Sequence, residues 1–235
     1  MKFLEFDEER DFPYYKHNPQ ISKLGWAILI LLLPISFIMQ YIFYTITGTD
    51  IIGSAAFCLT LLIPLLYFSK WDYTLIFKKP TRNEIILAAL MFAGYMIYAT
   101  IVGNGLDIMG LSGIENGTVT SYITLDATIG LIFSMMGEEL IKFIPLMFFM
   151  RLIYKYSENR KLSLAISTTI VLIMFGLIHY LPPENTLISV LLLQGLGSIF
   201  EMYGYIKTKN LFVPYISHIL TDAVIFILIL MGIGY

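Results

Sequence analysis

Residues 134–149 read SMMGEELIKFIPLMFF. Glu138, Glu139 and Lys142 stand in the middle of a run that otherwise prefers lipid to water. Outward from them the apolar pattern extends far enough to cross a bilayer, which takes about 20 mostly apolar residues. The rest of the chain shares that character. Of 235 residues, 57% are hydrophobic and 14% are charged, and the mean hydropathy is +0.77. A soluble domain of this size cannot hide so much apolar surface, because much of its exterior must stay polar. The composition therefore implies an all-α, polytopic membrane bundle.

Apolar runs of sufficient length predict seven spans, at about 24–47, 51–69, 84–103, 125–151, 163–181, 187–206 and 213–233. Polar or turn-rich connections separate them, and no repeat or domain boundary interrupts the series. Residues 24–235 read as one membrane-embedded domain, with a chemically distinctive core at about 125–233. Residues 1–23 are acidic and aromatic, without an apolar core or a small-residue cleavage site. They read as a solvent-exposed or surface-lying arm and not as a secretory signal peptide.

Positive charge predicts the orientation. Lys2, Arg10, Lys16 and Lys23 lie in the arm, and Lys70, Lys78, Lys79 and Arg82 in the second connection. Arg151, Lys155, Arg160 and Lys161 flank the fourth, and Lys207 and Lys209 the sixth. The odd-numbered connections and the C-terminal tail have none. This alternation places the N-terminus in the cytoplasm and the C-terminus outside. The short chain fits a prokaryotic cell membrane. With a net charge of −2 and no large basic patch, nothing points to nucleic acid. The single cysteine, Cys58, excludes an intramolecular disulfide and a CxxC metal site.

Lys142 is the one cation outside that pattern. An ionised group at mid-bilayer costs about 2.5–3.5 kcal/mol on insertion scales, so this helix needs partners for three of them. Glu138 and Lys142 are four apart on one helix face, in the favourable order. Glu139 points about 100° away and reaches Lys142 at the three-residue spacing. One lysine cannot neutralise two carboxylates, so further partners are expected. His179 ends the fifth span, and His218 lies in the seventh, with Asp222 one turn later. Glu201, in the sixth, is a weaker member, close enough to the cytoplasmic end to snorkel to water.

Each of these residues has a plainer reading. A Glu–Lys pair serves as interhelical glue, a lone histidine as a packing donor, and His218 with Asp222 as a helix-stabilising pair. Phe175 reads as core, and Cys58 and the methionines as filler. The plain readings do not account for two acids, a base and two histidines concentrated in spans four, five and seven. Depth poses a difficulty. Along straight helices His179 lies about 27 Å from Lys161, and His218 about 13 Å from Lys209. A common site requires tilt, or a turn at LPPEN (181–185) that dips into a cavity, where irregular backbone is tolerated at depth.

Two carboxylates and two imidazoles suit activation of water. A glutamate takes the proton, one histidine holds the water, and another donates to the oxyanion formed at an attacked carbonyl. The same donors also suit zinc, with Glu138, His179 and His218 as ligands. The metal-free chemistry, with no cofactor, is preferred, and the absence of HExxH excludes a thermolysin-like site.

Three motifs occur in order: EELIK (138–142), FGLIH (175–179) and HILTD (218–222). With the stretch QGLGSIFEMYGYIKTKNLFVPYISHILTD (194–222), they resemble the CPBP family of intramembrane proteases. That family includes type II CAAX prenyl endopeptidases and bacteriocin-processing or self-immunity proteins. The resemblance spans roughly Ile129 to Val224. It implies that Glu138 is the general base and that His179 positions the water. It also implies that His218 and Asp222 stabilise the oxyanion and that Glu139 supports the site. The implied partners are membrane lipid and a membrane-associated peptide, prenylated in the CAAX branch. The family's arginine would fall at Phe143; here the cation is Lys142, giving the EExxK form of PrsW-type proteases. By the four-residue rule this shifts the cation's favoured partner from Glu139 to Glu138, leaving open which glutamate is the base. Asp222 stands where Asn is common, and an ionised Asp cannot donate to an oxyanion. Two other functions fit the same residues: a non-catalytic immunity or binding relative, and a proton-coupled transporter.

Overall fold

The computed structural model describes residues 10–16, 20–111, 123–182 and 184–231, and among them the regular structure is entirely helical. Seven long helices follow the predicted spans closely. They are α1 (Lys23–Thr47), α2 (Asp50–Phe68), α3 (Arg82–Ile108), α4 (Leu125–Ser157) and α5 (Arg160–Ile178). After them come α6 (Leu187–Thr208) and α7 (Phe212–Leu230). Six of these are long and apolar enough to cross a membrane. The remaining one, α4, carries the charged stretch, and its 33 residues span about 50 Å at 1.5 Å per residue. The chain is a multi-pass membrane protein.

Polar residues mark the ends of these helices. Ser22, Thr124 and Asn159 each accept a backbone N–H of the first turn, and Thr81 with Glu84 forms a capping box. α4 is the axis of the bundle, packed against α2, α5 and α7, while α3 closes against α7 and the second half of α6. Close approach to α2 depends on Gly137, where a Cβ would stand 2.3 Å from the Phe57 ring. α6 is not uniform: after one α-turn it widens to a π-turn at Leu191–Gly195 and tightens to a 3₁₀ turn at Leu196–Ser198.

The basic connections gather at one end of the bundle. The Asn210 side chain bonds both the N–H and the C=O of Lys78, Arg151 donates to Ile21 O, and Arg160 pairs with Asp11. The described part of the arm is not a solvent-exposed feature. Phe12, Tyr14, Tyr15 and Ile21 are buried, Tyr14 bonds Ser69, and its ring meets Trp26 and Phe143 edge-on. Aromatic burial outweighs the arm's acidity, which residues 10–16 express only through Asp11. Residues 1–9 and 17–19 of the arm lie outside the described residues, as do 112–122 of the third connection, Pro183 and 232–235.

The turn between α6 and α7 is buried, whereas the described residues of the LPPEN stretch are mostly exposed. Asn210 and Leu211, between α6 and α7, are 0% and 1% exposed beneath the connection that carries Ile76 and Lys78. The start of α7 is therefore covered by that connection.

Candidate active site

His179 is the C-cap of α5. Its Nδ1 lies 2.7 Å from Phe175 O; a carbonyl only accepts, so Nδ1 carries the hydrogen and Nε2 presents a lone pair. That Nε2 is 3.9 Å from Glu138 Oε2. From α7, His218 Nε2 approaches the same oxygen at 3.7 Å and Asp222 Oδ2 at 3.9 Å. The expected residues of spans four, five and seven thus meet around one cavity of about 270 Å³.

Glu138 and Glu139 have different surroundings. Glu138 faces the cavity, its side chain 21% exposed. Glu139, 3% exposed, lies behind His218, with Oε1 2.8 Å from His218 Nδ1. The same oxygen is 2.6 Å from Lys142 Nζ. Lys142 is fully buried. It bonds Glu139 and Glu201 and lies 4.6 Å over the Phe175 ring.

Three expectations are corrected by this geometry. Lys142 pairs with Glu139 three residues upstream, and not with Glu138 as the four-residue rule favours, because a second carboxylate from α6 draws it to that side. Glu201 does not snorkel: it is 4% exposed and bonds the buried ammonium. Phe175 is more than packing. It gives His179 its acceptor, and its ring meets the His179 ring at 4.7 Å and the His218 ring at 6.4 Å.

Gln194 was not anticipated. It sits on the π-turn and lines the cavity, and its Oε1 is buried with no partner among the described residues. The π-turn is pinned by Tyr98, which donates to Leu192 O at 2.9 Å. Gly176 and Gly195 let α5 lie directly on this turn. A Cβ on Gly176 would come within 2.9 Å of Val190 O and 3.1 Å of Gly195 Cα. A glutamine within an apolar span was the available signal.

Two donor sets bear on metal binding. Glu139, Glu201 and His218 offer atoms within 4.8 Å of one another, but the Lys142 ammonium already bonds both carboxylates, so this set does not fit a cation. Glu138, His179 and His218 have the chemistry of a zinc set. Their gaps of 3.7 and 3.9 Å exceed the roughly 3.3 Å between ligands of a tetrahedral site with bonds of about 2.0–2.1 Å. A metal there would draw them together by a few tenths of an ångström.

Residues 120–224 match the family model described as type II CAAX prenyl endopeptidase Rce1-like. This match supports the resemblance of that stretch to the CPBP family. It covers a little under half of the chain and contains every residue around the cavity except Tyr95 of α3 and Ile225 and Phe226 of α7. The CPBP region is thus α4 to α7, with α1 to α3 packed around it. CPBP proteases of this class act on membrane-associated peptides, which agrees with a cavity set among membrane helices. No curated protein and no solved structure matches the chain.

Proposed function

We propose that the chain is an intramembrane endopeptidase that hydrolyses a membrane-associated peptide of the prenylated CAAX type, using Glu138 as general base. The observation that carries this reading is the convergence of His179 Nε2 and His218 Nε2 on one oxygen of Glu138. Gaps of 3.7 and 3.9 Å are too long for direct hydrogen bonds and suit one small bridging molecule, the attacking water.

Roles follow from the donors available. Water gives one O–H to Glu138 and the other to the Nε2 lone pair of His179. As Glu138 removes a proton, the water oxygen bonds the peptide carbonyl carbon and the carbonyl oxygen becomes an oxyanion. His218, with Nδ1–H held by Glu139, turns Nε2 to the cavity; carrying both protons among the surrounding carboxylates, it donates to that oxyanion. The proton on Glu138 then passes to the leaving amine nitrogen as the C–N bond breaks. Asp222 acts on His218 electrostatically, from one turn away. Should zinc be resident, Glu138, His179 and His218 would hold it, and it would acidify a bound water.

The surface beyond Phe175 supports a lipid-borne substrate. An apolar groove of about 680 Å³ runs between α1, α4 and α5, lined by Ile30, Leu33, Pro34, Ile141, Met174 and Phe175. It opens where Leu31 and Ile178 are exposed, a surface that in this fold faces lipid. With the orientation set by the basic connections, the arm end faces the cytoplasm.

The reading is tested by reconstituting the purified chain in liposomes with farnesylated and unmodified CAAX-type peptides in H₂¹⁸O. Cleavage of the farnesylated peptide, with one ¹⁸O in the new carboxyl group, is expected. A product without ¹⁸O contradicts water attack. No product from either peptide, with flux driven by a pH gradient, establishes the transporter reading instead.

A further inference from the structure

Glu201 borders the cavity on the Nδ1 side of His218, and it bonds the most deeply buried cation among the described residues. Its Oε2 is 3.9 Å from His218 Nδ1, too far to hold the ring itself. The ring is held by Glu139 Oε1 at 2.8 Å, and Lys142 Nζ claims that same oxygen from 2.6 Å. An ammonium has three donors and no lone pair. With Glu139 as its only anion it would neutralise that carboxylate, and the low dielectric of the site strengthens such a pairing. Glu201 provides a second anion. Lys142, Glu139 and Glu201 together then carry a net charge of −1 toward His218. With Glu201 neutral they would carry none.

We propose that Glu201 is a positioning residue: by sharing Lys142, it leaves Glu139 free to hold His218 Nδ1–H and keep Nε2 aimed into the cavity. Lys142 serves as the adjustable counterion of two carboxylates, one from its own helix and one from α6. The inference rests on the hydrolase reading for its kinetic consequences and on geometry alone for its spectroscopic ones.

Three variants test it: Glu201→Gln, Lys142→Met and the two combined. The double variant restores the net charge of −1 on Glu139 without either partner. Glu201→Gln is expected to lower kcat per folded enzyme by about 100-fold, the scale of a misplaced catalytic group, with KM nearly unchanged. The double variant is expected to recover at least about tenfold of that loss, a non-additivity that only coupled groups show. Ring ¹⁵N spectra report the contact directly, because the chain has only three histidines. The Nδ1 signal of His218 should move in Glu201→Gln and return in the double variant.

Unchanged kcat per folded enzyme in Glu201→Gln, with only the folded yield reduced, would make Glu201 purely structural and overturn the proposal. A double variant as slow as Glu201→Gln would also overturn it, as would a His218 signal that does not move. If the wild-type chain cleaves no peptide, the hydrolase reading fails, and the spectra alone decide whether Glu201 sets the His218 contact.

Discussion

Lys142 Nζ lies 2.6 Å from Glu139 Oε1, so the lysine expected to neutralise Glu138 is committed to the neighbouring acid. Glu139 is therefore a structural anion and Glu138 a solvent-facing one. Breaking a buried pair by removing one partner costs about 3–5 kcal/mol, and Glu201 remains to limit the loss. Glu139→Gln should thus destabilise by about 3 kcal/mol, lowering Tm by about 6–12 °C for a chain of this size. It should also reduce cleavage, because His218 loses its charged acceptor. Thermal unfolding in detergent checks the first effect; an unchanged Tm would show that Glu139 is not the residue holding Lys142.

Gly176 should be intolerant of even one added carbon. The atoms a Cβ would meet, Val190 O and Gly195 Cα, are backbone and cannot swing aside. Overpacking of this kind costs about 1–3 kcal/mol. The strain falls one turn before His179, so Gly176→Ala should lower kcat more than its modest drop in Tm accounts for. Activity equal to wild type would mean that the α5 contact with the π-turn does not position His179.

The arm should undock in acid. Burial opposes ionisation of Asp11, but hydrogen bonds from the Tyr15 hydroxyl, the Phe12 N–H and Arg160 outweigh it and hold its carboxyl below the ordinary 3.8. A lowered folded value means stability that is complete above the ordinary value and lost as pH falls through the lowered one. Trp26 fluorescence, measured with Trp71→Phe so that one tryptophan remains, should report the release, since Tyr14 packs edge-on at 6.3 Å. Asp11→Asn should remove the acid transition, leaving the arm more loosely docked at neutral pH. A transition unaltered by Asp11→Asn would assign it to another group.

Metal dependence separates the two chemistries of the cavity. With Glu138 as general base, activity should survive exhaustive chelation and elemental analysis should find no stoichiometric zinc. Loss of activity on chelation, restored by zinc, would assign Glu138, His179 and His218 to a metal.

The number and extent of the helices were legible because lipid imposes length and apolarity on each span independently. The convergence of Glu138, His179 and His218 was legible too, since ionisable groups in spans are rare enough to single them out. What escaped was pairing. The four-residue rule describes an isolated helix and cannot weigh Glu201, 59 residues further on. Straight-helix counting put Glu201 near the membrane surface because it could not foresee the buried turn at Asn210. The docking of the arm was not legible for a related reason: Phe12, Tyr14 and Tyr15 follow no helical period, and only the gap between Trp26, Phe143 and Ser69 gives them a place. Gln194 stood out only as a glutamine in an apolar span; the π-turn that brings it to the cavity wall has no sequence signature.

The central claim is that Glu138, facing both imidazoles, is the base of a hydrolytic site. Glu138→Gln preserves size and removes only the proton acceptor, at a partly exposed position. In liposomes with a farnesylated CAAX-type peptide, this variant should lose cleavage by at least about 10²–10⁴-fold while its Tm stays within about 2 °C of wild type. Cleavage at the wild-type rate by a well-folded Glu138→Gln protein would contradict the account.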